Sequence, residues 1–402
     1  MAKWSEELEQ YAIEVILEKR QDLQASLLRS LLFLLSKIYR VLVQFRLLAY
    51  RKRLLRDHSV GCIVISIGNL TVGGTGKTPV VEKFARALRD NGRRVAILSR
   101  GYKSVRPPLR KRLWWRFTGK KEFFAPRVVS DGQEVLLDSR TAGDEPFMLA
   151  SNLKDVAVIV DKDRVKSALY AICNFRSDTL LLDDGLQYLD LKHRLDIVLI
   201  DCQAPFGNEY LLPRGTLREP PDNLRRANYI LLTKSSGTGN EALIQRIRQY
   251  NRTAEIIECS HKPLYLENLH SGTREDLSFL KDLFIGAVSG IAQPESFYEG
   301  LRSLGANLEL TRSFTDHHRY TERELQSFME RCIRRDLAAM ITTQKDAVRF
   351  PKLENPKVPI YILRVEIDIL NGKETWEQCI QRICNPHPHV APAGRLSLAG
   401  VP

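Results

Sequence analysis

At 402 residues, with 44% hydrophobic and 27% charged side chains, the chain has the make-up of two ordinary globular domains or one large α/β domain. A miniprotein and disorder throughout are both excluded. Lys and Arg number 61 against 48 Asp and Glu, and the net charge of +13 predicts an anionic partner. The seven cysteines are scattered and form no Cys-x-x-Cys pair, which argues against a disulfide framework or a zinc site and for a reducing compartment.

In chain order, residues 1–57 stand apart. From Ser26 to Arg56 aliphatic and basic residues dominate and no acidic residue occurs. On a helical wheel Ser26, Arg29, Ser30, Ser36, Lys37, Arg40, Gln44 and Arg51 share one arc of about 120°, and leucines, Ile38, Val41 and Phe45 fill the rest. The charges at Arg29, Lys37, Arg40 and Arg46 interrupt any run of about 18 apolar residues. The segment therefore reads as an amphipathic helix lying in a membrane interface rather than spanning it. A basic helix packed on the body behind it is the alternative.

From residue 58 short apolar runs alternate with helical patterns: Cys62–Ile67, Val95–Leu98, Val156–Val160, Thr179–Leu182, Asp196–Ile200 and Tyr229–Leu232. Such alternation predicts βαβ units and a parallel sheet. The expected fold class is α/β: a P-loop NTPase-like parallel sheet domain over 58–250, a linker over 251–280, and a second, smaller α/β domain over 281–385. In that second unit Leu283–Val288, Ala339–Thr342 and Ile360–Val365 read as strands, and Glu295–Leu304 and Glu322–Arg334 as helices. Residues 386–402 read as a Pro/Gly-rich disordered tail. The segment Lys103–Arg127 breaks the alternation with nine Lys/Arg and five interleaved Trp and Phe. It fits lipid headgroups, nucleic acid or a packed hairpin equally well.

The strongest chemical signal is Ile63-Val-Ile-Ser-Ile-Gly-Asn-Leu-Thr-Val-Gly-Gly-Thr-Gly-Lys-Thr78, a strand, a glycine-rich turn and a helical pattern from Pro79. Such a turn aims backbone N–H groups and a helix N-terminus at phosphate. Gly73, Gly74, Thr75 and Gly76 wrap the phosphates, Lys77 bridges the β- and γ-phosphates, and the Thr78 hydroxyl is placed for Mg²⁺. The strict pattern fails only where its first glycine falls on Thr71. The carboxylates a P-loop needs for its metal appear as Asp183 and Asp184, closing the apolar run Thr179–Leu182 where ligands gather in open α/β sheets. A solvated turn at Asp184-Gly185 is the plainer reading.

With these and further motifs in the same order, the chain resembles the tetraacyldisaccharide 4'-kinase family of lipid A biosynthesis. The resemblance runs over roughly residues 60–350. It is carried by Gly68–Pro79, Ser99-Arg-Gly-Tyr102, Gly143-Asp-Glu-Pro146, Asp163-Arg164, Asp183-Asp-Gly-Leu-Gln187, Leu212–Pro220, Asp316-His317-His318 and Thr342-Thr-Gln-Lys-Asp346. It implies transfer of the γ-phosphoryl group of ATP, with Mg²⁺, to the 4'-hydroxyl of a tetraacylated glucosamine disaccharide 1-phosphate. It also implies a lipid substrate, an anionic membrane surface and no nucleic acid as partners, at the cytoplasmic face of the inner membrane, peripheral or monotopic. By the same resemblance Asp144 acts on the acceptor hydroxyl with His317 as its partner. Arg164, Gln187, Arg218 and Glu219 belong to the rim. On the residues alone, Asp144 reads as a helix cap before Glu145–Ala150 and His317 as a loop histidine. Tyr188 departs from the family, which commonly has His after that Gln. A nucleotide-switched P-loop ATPase or GTPase is the rival reading, although Thr233-Lys-Ser-Ser236 and Thr343-Gln-Lys-Asp346 each miss a position of a guanine-reading motif.

Overall fold

The computed structural model describes residues 11, 14–16, 18–20, 22–101, 125–353 and 356–385. The expectations for residues 102–124 of the aromatic, basic segment and for the tail from 386 lie outside the described residues. A long helix, α1 (Leu23–Arg51), precedes the sheet and opens on Asp22, whose side chain accepts from the amide of Ala25. The strands follow as β1 (Ile63–Asn69), β2 (Val95–Ser99), β3 (Arg127–Ser130), β4 (Ala157–Val160), β5 (Thr179–Asp183), β6 (Leu195–Asp201), β7 (Tyr229–Thr233), β8 (Glu255–Asn268), β9 (Arg274–Glu275), β10 (Phe284–Ser289), β11 (Asn307–Ser313), β12 (Ala339–Thr343) and β13 (Ile360–Asn371). All belong to one 13-stranded sheet in the order β11-β10-β12-β13-β8-β7-β6-β1-β5-β2-β4-β3, with β9 paired to β8.

The apolar runs become strands because they are buried on both faces between helices, as parallel sheets require. Within β1, Ile65 and Ile67 face α2 (Lys77–Asp90), where Val80, Val81, Phe84 and Leu88 meet them. Val64 faces the opposite side, with Ala168 and Ala171 of the helix Arg164–Phe175. The second series repeats the plan. Phe297, Tyr298 and Leu301 of the helix Pro294–Ser303 cover one face, and Leu325, Phe328, Met329 and Cys332 of the helix Glu322–Arg334 cover the other.

Two expectations are corrected. Residues 251–280 are no linker: they hold β8, which runs parallel to β7 and antiparallel to β13 and so carries the sheet across from one half to the other. Residues 281–385 are not a self-contained unit either. The end of β13 and the last helix, Lys373–Cys384, return to the first half, where Ile367, Ile369, Cys379, Ile380 and Ile383 share a core with Val80 and Phe84. The Trp376 ring sits 4.3 Å from that of Phe84. Strands β3 and β11 were not anticipated. Both lie at sheet edges, where β11 alternates polar and apolar residues and four of its seven residues are exposed.

The N-terminal helix is amphipathic as expected, but its orientation is specific. Its polar side meets the body: Ser36 is buried, the Tyr39 hydroxyl donates to the Arg218 carbonyl (3.0 Å), Arg40 pairs with Asp222 (3.3 Å), and Gln44 donates to Asn223 (3.1 Å). Its apolar side faces solvent, with Leu34 60%, Val41 68% and Phe45 65% exposed. Among the described residues no helix is long and apolar enough to cross a membrane.

Candidate active site

The glycine-rich turn joins β1 to α2. Gly76 precedes the helix at φ +75°, a left-handed conformation that a side chain would strain. A Cβ there would also stand 3.0 Å from the His261 ring. Gly73 and Gly74 are exposed, whereas Thr75 and Thr78 are buried. The turn is braced from behind. Asn69 donates to the Thr75 hydroxyl (2.9 Å), and the Thr233 hydroxyl at the end of β7 donates to the Thr75 carbonyl (2.9 Å). Lys77 donates to Oδ1 of Asn69 (3.2 Å) and lies 3.7 Å from Asp184.

The two carboxylates at the end of β5 are held differently. Asp183 is buried and accepts from the Ser99 hydroxyl (3.0 Å). Burial pushes its carboxyl up to about 7, with the charges of Glu145 and Asp184 adding to the effect. Asp184 receives both Nη atoms of Arg218 at 2.8 Å. Burial would raise its carboxyl too, but the Arg218 hydrogen bonds and the Lys77 charge hold it down to about 2. Arg218 also bonds Asn69 and donates to the Thr71 carbonyl (3.2 Å), so the turn, the strand end and the 212–220 loop form one network. Gln187 extends it by donating to the Asn69 carbonyl (3.1 Å) and to Glu219 (3.0 Å), which also accepts from Arg226 and Asn223 at 2.7 Å.

Arg164 is buried at the start of its helix, its guanidinium 5.0 Å from the centre of the Tyr188 ring and its Nε without a hydrogen-bond partner among the described residues. Burial lowers its pKa while the charges of Asp183 and Asp184 oppose the shift. The Tyr188 hydroxyl accepts from the Arg164 amide (2.9 Å), the first amide of a helix that Asp163 caps by accepting from the Lys166 amide (3.0 Å).

A second cluster gathers around Asp144, in the first turn of the helix Asp144–Asn152. Its carboxylate accepts from Arg349 Nε (2.8 Å) and Arg319 Nη2 (3.1 Å), and His317 Nδ1 stands 3.3 Å away. Burial works against the charge, but His317, Arg349 and Arg319 together keep the carboxyl below the usual carboxylate range. His317 sits at φ +66°. Beside it Lys345 reaches Asp316 (3.3 Å) and Glu145 (3.7 Å). Glu145 links the clusters, because it follows Asp144 in sequence and its charge acts on Asp183.

The structure therefore brings Lys77, Asp184, Arg218, Gln187 and Glu219 into one hydrogen-bonded set and joins Asp144 to His317. Sequence reasoning missed Arg319, Arg349 and Asn69 as participants. Arg349 stands three residues past the quoted Thr342–Asp346 motif, but its partner Asp144 is 205 positions away and no local pattern could pair them. Among the described residues no three His, Cys, Asp or Glu side chains form a metal-holding group by themselves. Two carboxylates and a hydroxyl nonetheless suit a hard cation that takes its remaining oxygens from nucleotide phosphates and water.

Comparison with known proteins supplies the family context. Residues 28–385 match the family model described as tetraacyldisaccharide-1-P 4'-kinase. The tetraacyldisaccharide 4'-kinase of Halothermothrix orenii is 35% identical over 400 residues, covering 95% of this chain and all of its own length. That of Desulfatibacillum aliphaticivorans is 36% identical, with 89% and 93% covered. The crystal structure of LpxK from Aquifex aeolicus in complex with ATP superposes with a TM-score of 0.68 at 28% identity, covering 89% of this chain and 99% of that one.

Proposed function

The chain belongs to the tetraacyldisaccharide-1-P 4'-kinase family, and from that membership we propose how its residues divide the work. It is an ATP-dependent phosphotransferase that phosphorylates the 4'-hydroxyl of a tetraacylated glucosamine disaccharide 1-phosphate in lipid A biosynthesis. In our reading Gly73, Gly74, Thr75 and Gly76 cradle the phosphates with backbone amides and Lys77 follows the charge that builds on the transferred group. Thr78, Asp183 and Asp184 would hold Mg²⁺, which when bound supplies charge neutralisation at the phosphates. The buried Asp183 carboxyl, raised by burial and by the charges of Glu145 and Asp184, supports this assignment, since a cation relieves it.

Asp144 and His317 are the acceptor side of the reading. Phosphoryl transfer through a loose transition state asks mainly for alignment and charge stabilisation, so a carboxylate held ionised can orient the sugar hydroxyl without being a strong base. Arg164, Arg218, Gln187 and Glu219 frame the rim, and the bidentate Arg218–Asp184 pair sets the loop 212–220 against the phosphate turn. The observation that carries the reading is the P-loop lysine beside the paired carboxylates at the ends of β1 and β5, with the charge of Glu145, next in sequence to Asp144, acting on Asp183. Incubation of the detergent-solubilised protein with γ-labelled ATP, Mg²⁺ and a lipid A 1-phosphate precursor tests it. A doubly phosphorylated lipid is expected, and ATP hydrolysis without lipid labelling would refute it.

The rival switch reading loses support at its two candidate base-reading motifs. Asp346 is buried and accepts from the Gly290 amide (3.0 Å), Tyr320 (2.9 Å) and Thr343 (2.6 Å), and Lys234 is bound to Asp201 (2.6 Å) and Gln293 (2.7 Å). For the membrane, we propose that the outward leucines of α1 enter the anionic inner-membrane surface on its cytoplasmic face, where an acylated substrate is met.

A further inference from the structure

Asp144 and His317 are joined by a third side chain. Arg349, shut off from solvent, directs its guanidinium at four groups. Nε donates to Oδ2 of Asp144 (2.8 Å), Nη1 donates to the Gly290 carbonyl (3.1 Å) and approaches Asp346 (3.4 Å), and Nη2 lies 3.2 Å from Nδ1 of His317. A guanidinium carries only donors and stays charged, so the nitrogen facing Nη2 must offer a lone pair. The same Nδ1 stands 3.3 Å from Asp144. One nitrogen cannot satisfy both, because donating to the carboxylate needs a proton there and accepting from the guanidinium needs its absence. Leaving a buried guanidinium N–H unmet is the costlier choice. Asp144 keeps Arg349 Nε and Arg319 Nη2 as donors whichever way His317 is protonated.

We propose that Arg349 is a positioning residue for the phosphoryl transfer: it holds His317 in the tautomer protonated on Nε2 and holds Asp144 as a carboxylate, so that a buried cation couples the pair instead of a direct Asp144–His317 hydrogen bond. This rests on Asp144 and His317 being the acceptor site. The imidazole then carries its proton on Nε2, on the side of Asp316 (3.8 Å), which Lys345 in turn pairs with (3.3 Å). Asp144, clamped by two arginines, fixes position and charge. Arg349 also ties the two halves of the sheet at this point, because Asp144 precedes β4 whereas Gly290 and Asp346 follow β10 and β12.

The test is a nitrogen-15 spectrum of the full-length protein in detergent with labelled histidine, the His317 signals being those lost in His317→Gln. The expected wild-type spectrum has Nδ1 unprotonated and Nε2 protonated near pH 7.5. Arg349→Lys places one ammonium where a fork spanned Asp144 and His317, so the proton should move to Nδ1. The kcat should then fall tenfold or more, with the KM for ATP within threefold because the phosphate turn is untouched. A protonated Nδ1 in the wild type overturns the proposal, and so does a lysine variant in which either the tautomer or kcat is unchanged. If the lysine variant does not fold, the wild-type spectrum decides alone. Failure of the acceptor-site reading is distinct: it would appear as near-normal kcat in Asp144→Asn, whatever the tautomer.

Discussion

Lys77 and Asp144 show how differently two charged side chains of one site depend on their surroundings. Lys77 is partly solvated, 3.2 Å from Asn69 and 3.7 Å from Asp184, so removing its charge leaves the fold little disturbed. Lys77→Ala is expected to lower kcat at least about 100-fold with a small change in melting temperature, because its charge matters most in the transition state. Asp144 is buried between two arginines, and Asp144→Asn should cost on the order of 3–5 kcal/mol at pH 7, as for breaking a buried pair. Its pKa lies lower in the folded than in the unfolded chain, so the stabilisation is full above the unfolded value of about 3.9 and is lost as pH falls through the folded value. Melts from pH 7 downward should therefore show the gap between wild type and variant steady to about pH 5 and shrinking progressively below about pH 3.9. A gap that stays constant below that pH would mean that charge is not what Asp144 contributes. Lys77 and the aspartates were legible because glycines and carboxylates at fixed short spacing announce a phosphate site. Arg319 and Arg349 were not, since they act through contacts with residues about two hundred positions away.

At the scale of elements, α1 was legible in its periodicity and not in its orientation. The wheel assigned Arg40 and Gln44 to a face expected to meet headgroups, yet both bond to the turn at 222–223, and Tyr39 reaches the Arg218 carbonyl beside the phosphate network. Which way an amphipathic helix turns depends on partners far along the chain. The apolar face is left to solvent, and burying a leucine fully is worth about 1.5–3 kcal/mol. Serine at Leu31, Leu34 and Val41 together should therefore reduce flotation with anionic liposomes at least about tenfold and change the melting temperature little, since more than half of each residue is exposed. Arg40→Glu has the opposite signature. It faces Asp222 with a like charge, so it should lower the melting temperature by a degree or more and change flotation less than the serine variant does. If the serine variant instead aggregated and still floated, the leucines would be core residues of a contact between copies.

At the scale of the whole molecule, the buried central strands were legible but the continuity of the sheet was not. The buried runs of β1, β2, β5, β6 and β7 read clearly because an all-apolar segment has few alternatives. Strand β8 did not, because Glu258, His261, Lys262 and Glu267 interrupt its apolar residues and its pairing with β13 is set by a segment about one hundred positions away. That strand decides how the chain can be divided. A fragment of residues 58–250 would end with the edge of β7 unpaired, where β8 now lies along Tyr229–Leu232. It would also lose Ile367, Ile369, Trp376, Ile380 and Ile383, which cover the Phe84 face of α2. Truncating one core tryptophan or phenylalanine already costs about 3–5 kcal/mol, against a whole stability of about 5–15. The fragment is therefore expected to aggregate or to lack near-ultraviolet circular dichroism, whereas a chain carrying residues 58–385 melts cooperatively and binds ATP. Size-exclusion chromatography with spectroscopy on the two chains makes the comparison. A monomeric 58–250 fragment that binds ATP would place the unit boundary where the sequence pattern alone had put it.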